Sequence, residues 1–339
     1  MTGASGMLGR RTAAALTARG DEVTVLQRRP SGLDCREVLG DVADPAVVRR
    51  AAAGQDAVVH LAAKVDVVGP WAEYAHANIE GTRSVLAGCR SAGVRRLVHV
   101  SSPSVAHGGR ALVGAGADPA DPARARSHYS RSKAVAEQEA LAADSTDHAV
   151  LCIRPHLVWG PGDTQLVARI VDRARAGRLF RIGTGAALID TTYVSNAVDA
   201  LLAAVDSDRH GEALVVSNGE PRPVADILSG LCRAAGLPGP RGWVPVPAAR
   251  AVAGGVEAMW WLLGRRDVPP LSRFLVDQLT TAHWFDQRHT RRVLGWTPAV
   301  TLDEGFAALA RWYAEAAPDP PAQGCPPPAV RAGRLERAG

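Results

Sequence analysis

The chain has 339 residues, of which 47% are hydrophobic and 22% charged, with a formal net charge of +5. These values describe an ordinary soluble globule of one large or two modest domains, and the scattered arginines argue against nucleic acid as a partner. Five cysteines (Cys35, Cys89, Cys152, Cys232 and Cys325) are odd in number and lack short metal-binding spacings, so a reduced cytoplasmic protein with no metal site and no secretory leader is expected.

The first element is a glycine turn, Thr2-Gly3-Ala4-Ser5-Gly6-Met7-Leu8-Gly9, followed by a helical stretch and a strand pattern within 21–29. Glycines at this spacing permit a tight turn, close backbone approach to a pyrophosphate and close helix–strand packing. The free N–H groups of the helix N-terminus then favour the anion. Gly3, Ser5, Gly6, Met7, Leu8 and Gly9 are therefore candidate dinucleotide-binding residues. Where NAD enzymes usually carry a carboxylate for the adenosine ribose, this strand ends in Gln27, Arg28 and Arg29. A guanidinium grips a 2′-phosphate that a carboxylate would repel, so Arg28 and Arg29 favour NADP(H) over NAD(H).

Val58-Val59-His60-Leu61 and the run from Arg95 to Val100 read as buried parallel strands, the second leading into Ser101-Ser102-Pro103-Ser104. Tyr129 and Lys133 follow, four apart and so on one face of a helix. The ammonium is expected to lower the tyrosine pKa, so that the phenol exchanges a proton with a carbonyl or alcohol near neutrality. A serine at a strand end can bond the same oxygen. Strand and helix patterns alternate to about residue 150, the signature of a parallel sheet with helices on both faces, and Val150 to Arg154 is the next strand. Beyond it, helices mix with proline-rich turns and read as a smaller lobe. The stretch from Ala249 to Leu263, with Met259, Trp260 and Trp261, is too short and too glycine-interrupted to span a bilayer. It either lies on a membrane surface or, as preferred, lines an apolar substrate pocket. From 317 onward proline and alanine dominate, and a disordered tail is expected.

Taken in order, the glycine turn, Asp41-Val42, His60-Leu61-Ala62-Ala63, Asn78, the Ser-Ser stretch and Tyr129…Lys133 resemble an extended short-chain dehydrogenase/reductase. The likeness runs from residue 2 to about 316. The stretches 101–105, 154–163, 190–194, 217–221 and 283–286 resemble the 3β-hydroxysteroid dehydrogenase-like branch, and within it bacterial reductases of 2-alkyl-3-oxoalkanoates. The resemblance implies an α/β fold: a Rossmann-type doubly wound parallel sheet in 1–160 with returning segments near 185–217. A smaller substrate lobe would comprise 161–184 and 218–316, with the tail at 317–339. It implies that Tyr129 is the proton donor, that Lys133 tunes it and holds the nicotinamide ribose, and that Ser102 completes the set with Ser104 as its rival. Asp41 and Val42 would contact the adenine, and Leu61, Ala62, Ala63, Pro155 and His156 would line the cofactor site. Asn78 would tie strand backbones together through a helix kink or a water. This fold needs an apolar first strand before Gly3, and only Met1-Thr2 stands there. A truncated first strand is expected, with the natural start a few residues upstream.

The expected function is hydride-transferring interconversion of a ketone and a secondary alcohol on an apolar substrate, either a 3-oxoalkanoate or a 3β-hydroxysteroid-like compound. Trp71, Trp159, Trp260, Trp261 and Phe274 would line a greasy cleft. A nucleotide-sugar epimerase or dehydratase is the alternative. It requires polar clamps for a diphosphate, and the lobe shows no clear set. A non-catalytic NADP(H) sensor is the third reading, disfavoured by the intact Ser/Tyr/Lys set. Besides the substrate, a homodimer and peripheral membrane contact through 249–263 are the expected partners.

Overall fold

The computed structural model describes residues 1–65, 69–265 and 269–316; the expected tail at 317–339 lies outside them. From the glycine turn, α1 (Met7–Arg19) leads to β1 (Thr24–Gln27) and β2 (Arg36–Leu39). Next come α2 (Pro45–Ala52) and β3 (Ala57–His60). The short α3 (Trp71–Tyr74) passes through a π-helical turn, Ala75–Glu80, into α4 (Gly81–Ala92) and β4 (Arg96–Val100). Strand β5 (Leu112–Ala115) precedes α5 (His128–Ala142), β6 (Ala149–Pro155) and β7 (Val158–Trp159). Then follow α6 (Leu166–Arg175), β8 (Arg181–Ile182), β9 (Leu188–Ile189), β10 (Thr192–Tyr193), α7 (Val194–Asp206) and β11 (Glu212–Val216). The chain continues through β12 (Arg222–Pro223), α8 (Val224–Ala234), β13 (Trp243–Val244), α9 (Val246–Leu262) and α10 (Arg273–Thr280). It closes with β14 (His283–Phe285), α11 (Arg288–Leu294) and α12 (Leu302–Ala316).

The parallel sheet has β2 beside β1, and β3, β4, β6 and β11 side by side. Thr2 alone joins these two groups, bridging Leu26 on one side and His60 on the other. Its N–H reaches the Val59 carbonyl at 3.0 Å, and Leu26 N–H reaches the Met1 carbonyl at 2.8 Å. A single bridging residue thus occupies the slot of the expected first strand. Strands buried on both faces read as continuous apolar runs, and here the two faces have separate cores. Val58, Leu97 and Val150 pack with Val48, Val85 and Leu86 of α2 and α4. Val59, Val98 and Leu151 pack with Leu201 and Ala204 of α7.

The lobe is built on Trp159, Val171, Ile227, Leu231 and Leu309. It carries a mixed sheet in the order β12, β9, β14, β5. Strand β5 lies inside the expected 1–160 domain, yet it pairs with β14 of the lobe, Leu112 opposite His283. The loop that follows the Ser-Ser stretch is thereby stitched onto the lobe. Helix α9 divides the 249–263 stretch: Arg250 lines an open cleft, and the apolar end of the helix faces outward. It buries Ala249 and Ala253 against Ile182 and Val276, while Trp261, Leu262 and Leu263 at its end are exposed at 81%, 75% and 65%. No helix among the described residues is long and apolar enough to cross a membrane.

Candidate active site

The residues expected to form the site sit where a doubly wound sheet places its ligands, at the carboxyl ends of the strands. The glycine turn is built for close approach. A Cβ on Gly3 (φ +77°) would lie 2.7 Å from Ala62 N, and one on Gly9 would lie 2.2 Å from the Gly3 carbonyl oxygen. Gly6 is the N-cap of α1, and no side chain caps that helix, so its first N–H groups are available to an anion. Ser5 and Gly6 are exposed, whereas Met7 and Leu8 turn their side chains into the lobe core. The turn therefore rests on both modules. Leu61 N–H donates to the Thr2 carbonyl and Ala62 N–H to Thr2 Oγ1 at 3.0 Å, which fixes the 61–63 loop beside the turn. A dinucleotide pyrophosphate fits this cradle.

At the end of β1, Gln27 is buried and donates to Glu37 at 3.0 Å. Ser31 also bonds Glu37 through both its N–H and its hydroxyl. Arg28 and Arg29 are exposed. Among the described residues they form no ion pair. Asp41 accepts from Ala43 N–H at 2.9 Å and faces His76 Nε2 at 3.0 Å. The backbone bond first and His76 second hold its carboxyl below the usual carboxylate range.

Helix α5 presents Tyr129 and Lys133. Ser127 caps it, accepting from Ser130 N–H at 3.0 Å. One turn beyond Lys133, Glu137 makes a buried two-pronged pair with Arg154 of β6 at 2.5 and 2.9 Å. Breaking such a pair costs about 3–5 kcal/mol, so α5 is locked onto the sheet. The Ser102 hydroxyl faces the Tyr129 hydroxyl, and Ser104 sits behind it with the two serine oxygens 3.0 Å apart. Of the two candidates, Ser102 is the one placed against the phenol.

The tyrosine differs from expectation. Burial pushes the Tyr129 phenol up, with the Ser102 hydroxyl opposing. The Lys133 ammonium bonds groups on the neighbouring strand. Lys133 Nζ donates to the Val100 carbonyl at 2.8 Å and lies 3.2 Å from His99 Nε2. Lys133 is 2% exposed, and burial brings its pKa down from 10.5 to about 8. Burial, then Lys133 and His60, hold His99 well below the ordinary histidine range, so it stays neutral and accepts from the ammonium. Asn78 lies in the π-helical turn and, rather than tying strand backbones together, joins the Lys64 backbone of the 61–65 loop to α5. It accepts from Lys64 N–H at 2.7 Å and donates to the Lys64 carbonyl and to Ser132 Oγ.

A second polar group went unread in the sequence. Pro155 ends β6, and the next residue, His156, points Nδ1 at Asp190 Oδ1 (2.6 Å) and Nε2 at His283 Nδ1 (3.1 Å). Asp190 Oδ2 accepts from Ser217 Oγ and Phe285 N–H, and His283 Nε2 donates to the Gln278 carbonyl. The signal was present, since Asp190, Ser217 and His283 all stand in motifs resembling the family. Of the five aromatics assigned to a greasy cleft, Trp159 is fully buried, stacked on Phe306 and donating to Thr191. Trp71 lies against Arg131 and His128. Phe274 does line the recess beside Ser104 and His107.

The profile of the NAD dependent epimerase/dehydratase family matches residues 1–217. A 2-alkyl-3-oxoalkanoate reductase of Stenotrophomonas maltophilia (strain K279a) is 39% identical over 320 residues, 91% of this chain and 97% of the relative. A 4-hydroxy-2-methyl-3-oxo-4-farnesyl-3,4-dihydroquinoline-1-oxide ketoreductase of Stigmatella aurantiaca is 32% identical, over 91% of this chain and 94% of the relative. Among solved structures, MoeE5 in complex with UDP-glucose and NAD has a TM-score of 0.70 at 27% identity, covering 93% of this chain and 98% of that one. Likeness at this level, over almost the whole length and with the cradle residues in place, means that the chain belongs to the NAD dependent epimerase/dehydratase family.

Proposed function

We propose that the protein is an NADPH-dependent reductase that converts the ketone of a 2-alkyl-3-oxo acid to a secondary alcohol. The observation that carries this reading is the Tyr129 hydroxyl set against Ser102 at the end of β4, with buried Lys133 on the same helix. The class of substrate is that named for the relative with 39% identity, and the relative with 32% identity is also named a ketoreductase. Gly3, Ser5, Gly6, Met7, Leu8 and Gly9 would hold the pyrophosphate. Asp41, Val42 and the 61–63 loop would hold the adenosine end, and Pro155 and His156 the nicotinamide end. Arg28 and Arg29, exposed and without ion-pair partners among the described residues, would take the 2′-phosphate. The bound cofactor supplies a hydride to the carbonyl carbon. Tyr129 supplies the proton to the carbonyl oxygen, and Ser102 bonds that oxygen and orients it. A phenol pushed up by burial stays proton-loaded at neutral pH, which suits an acid acting in the reductive direction.

The test is NADPH oxidation across 2-alkyl-3-oxo acids of increasing chain length, a 3-oxosteroid and a nucleotide sugar. Burial is worth ~0.8 kcal/mol per CH₂, so kcat/KM should climb roughly three- to fourfold per methylene before levelling off. A flat profile, or turnover of the nucleotide sugar alone, refutes the reading.

A further inference from the structure

We infer that Arg126 recognises the carboxylate of the acidic ketone, which makes it the residue that separates oxo acids from neutral ketones. The inference rests on the reductase reading above and specifies its substrate contact. An open cleft of about 420 Å³ is lined by Gly109, Arg126, Arg250, Arg273 and Asp277. It adjoins a narrow neck of about 10 Å³ that reaches Ser104, His107 and Phe274. Arg126 and Asp277 line both spaces, so they stand where the cleft meets the serines.

Among the described residues the charges there do not balance. Arg126, Arg250 and Arg273 are served by two carboxylates, Asp277 and Glu257. One monoanion would complete the set. The two lobe arginines are firmly held: Glu257 takes Arg273 through Nε at 2.7 Å and through its backbone N–H at 2.8 Å, and Asp277 Oδ1 takes Arg250 at 2.7 Å. Arg126 is the looser partner, 3.2 Å from the other Asp277 oxygen. It comes from the segment just before α5, so it belongs to the same module as Tyr129. A carboxylate entering the neck can take Arg126 while Asp277 stays neutralised by Arg250.

The surroundings are shaped for this exchange. A Cβ on Gly109 would lie 2.1 Å from Arg126 Nη1, so the glycine provides the space in which the guanidinium lies. His107 Nδ1 is buried at the neck and has no hydrogen-bond partner among the described residues, which leaves a second polar atom for an acidic ligand. In a 3-oxo acid the carboxyl carbon is two bonds from the ketone carbon. Arg126 shares the neck with Ser104, whose hydroxyl lies 3.0 Å from that of Ser102, so on this inference the guanidinium binds the acid while the ketone faces Ser102 and Tyr129. Arginine suits this role because its planar fork matches a carboxylate in two bonds.

The test compares a 2-alkyl-3-oxo acid with its methyl ester and with the ketone lacking the carboxyl group. In Arg126→Leu, kcat/KM for the acid should fall roughly 10- to 100-fold, mostly through KM, while ester and plain ketone stay within about twofold. Arg126→Lys should recover part of the acid's advantage. Asp277→Asn releases Arg126 from its competitor and should lower KM for the acid severalfold, which keeps the inference testable if Arg126→Leu folds poorly. Equal losses on acid and ester, or a wild type indifferent to the charge, overturn it while leaving the reductase reading intact. If wild type reduces none of the three, the reductase reading falls, and this inference with it.

Discussion

Replacing Lys133 by Met should inactivate the protein, and its effect on stability should depend on pH in a defined way. Lys133 is 2% exposed, and burial lowers its pKa from 10.5 to about 8. At ~1.4 kcal/mol per pH unit, that displacement corresponds to roughly 3 kcal/mol. The sign follows from proton counting. Between pH 8 and 10.5 the unfolded lysine carries a proton that the folded one has released, so wild-type stability rises with pH across that window. Below pH 8 both states are protonated, and the folded state bears the full penalty of a buried ammonium. The Met variant lacks this slope. It also loses the bonds to Val100 and His99, at ~1–3 kcal/mol each, but that loss does not vary with pH. The quantity to measure is therefore the stability difference between variant and wild type, by urea denaturation at pH 7 and again near pH 10. Relative to wild type, the variant should be better off by about 3 kcal/mol at pH 7 than at pH 10. A difference that stays constant across the window would mean that Lys133 is not strained by burial.

Three further outcomes are expected. Tyr129→Phe should cut turnover by ~10²–10⁴ while NADPH binding, followed by fluorescence titration, is retained; Ser102→Ala should cost more than Ser104→Ala, and the reverse order would exchange their roles. Arg28→Ala with Arg29→Ala should raise Kd for NADPH about tenfold or more and barely change that for NADH; equal effects, or a wild type that prefers NADH, would discard the 2′-phosphate assignment.

What the sequence made legible was what local sterics decide. The glycine turn is readable because a Cβ on Gly3 or Gly9 would meet backbone at 2.7 or 2.2 Å, distances that no side chain tolerates. The two core strands are readable because parallel strands covered on both faces carry near-continuous apolar runs, even though His60 and His99 interrupt these two. A helix irregularity at Asn78 was readable, but its partners, the Lys64 backbone of a loop and Ser132 of α5, were not. The direction of the Lys133 ammonium was hidden, since it depends on His99 in another strand. Spacing i, i+4 puts Tyr129 and Lys133 on one face but says nothing about a competing acceptor across the interface. Apolar content also misled. Trp159 and the end of α9 look alike in the sequence, yet one is fully buried and the other ends in Trp261 at 81% exposure. Burial of an aromatic is settled by partners far away in the chain, here Tyr193 and Phe306 for Trp159.

Hydrogen-bond accounting explains how the two modules meet at the cofactor edge. The Gln278 carbonyl only accepts, so His283 Nε2 carries its proton and His283 Nδ1 is left as an acceptor. His156 Nε2 must then be protonated to donate to it. That leaves His156 Nδ1 facing Asp190 Oδ1 at 2.6 Å, a separation two lone pairs would not accept, so one proton lies between them. The pair is neutral as a whole, and the remaining Asp190 oxygen is filled by Ser217 Oγ and Phe285 N–H. Each of these groups belongs to a different segment: the end of β6, the β9–β10 connection, the end of β11, and β14. An apolar contact at this point would tolerate sliding. A fully paired polar group does not, because a shift that breaks one bond leaves a buried donor or acceptor unpaired at ~1–3 kcal/mol. The ring of His156 is therefore held at the end of β6 by directional bonds from both modules, which is the rigidity its proposed place beside the nicotinamide would require.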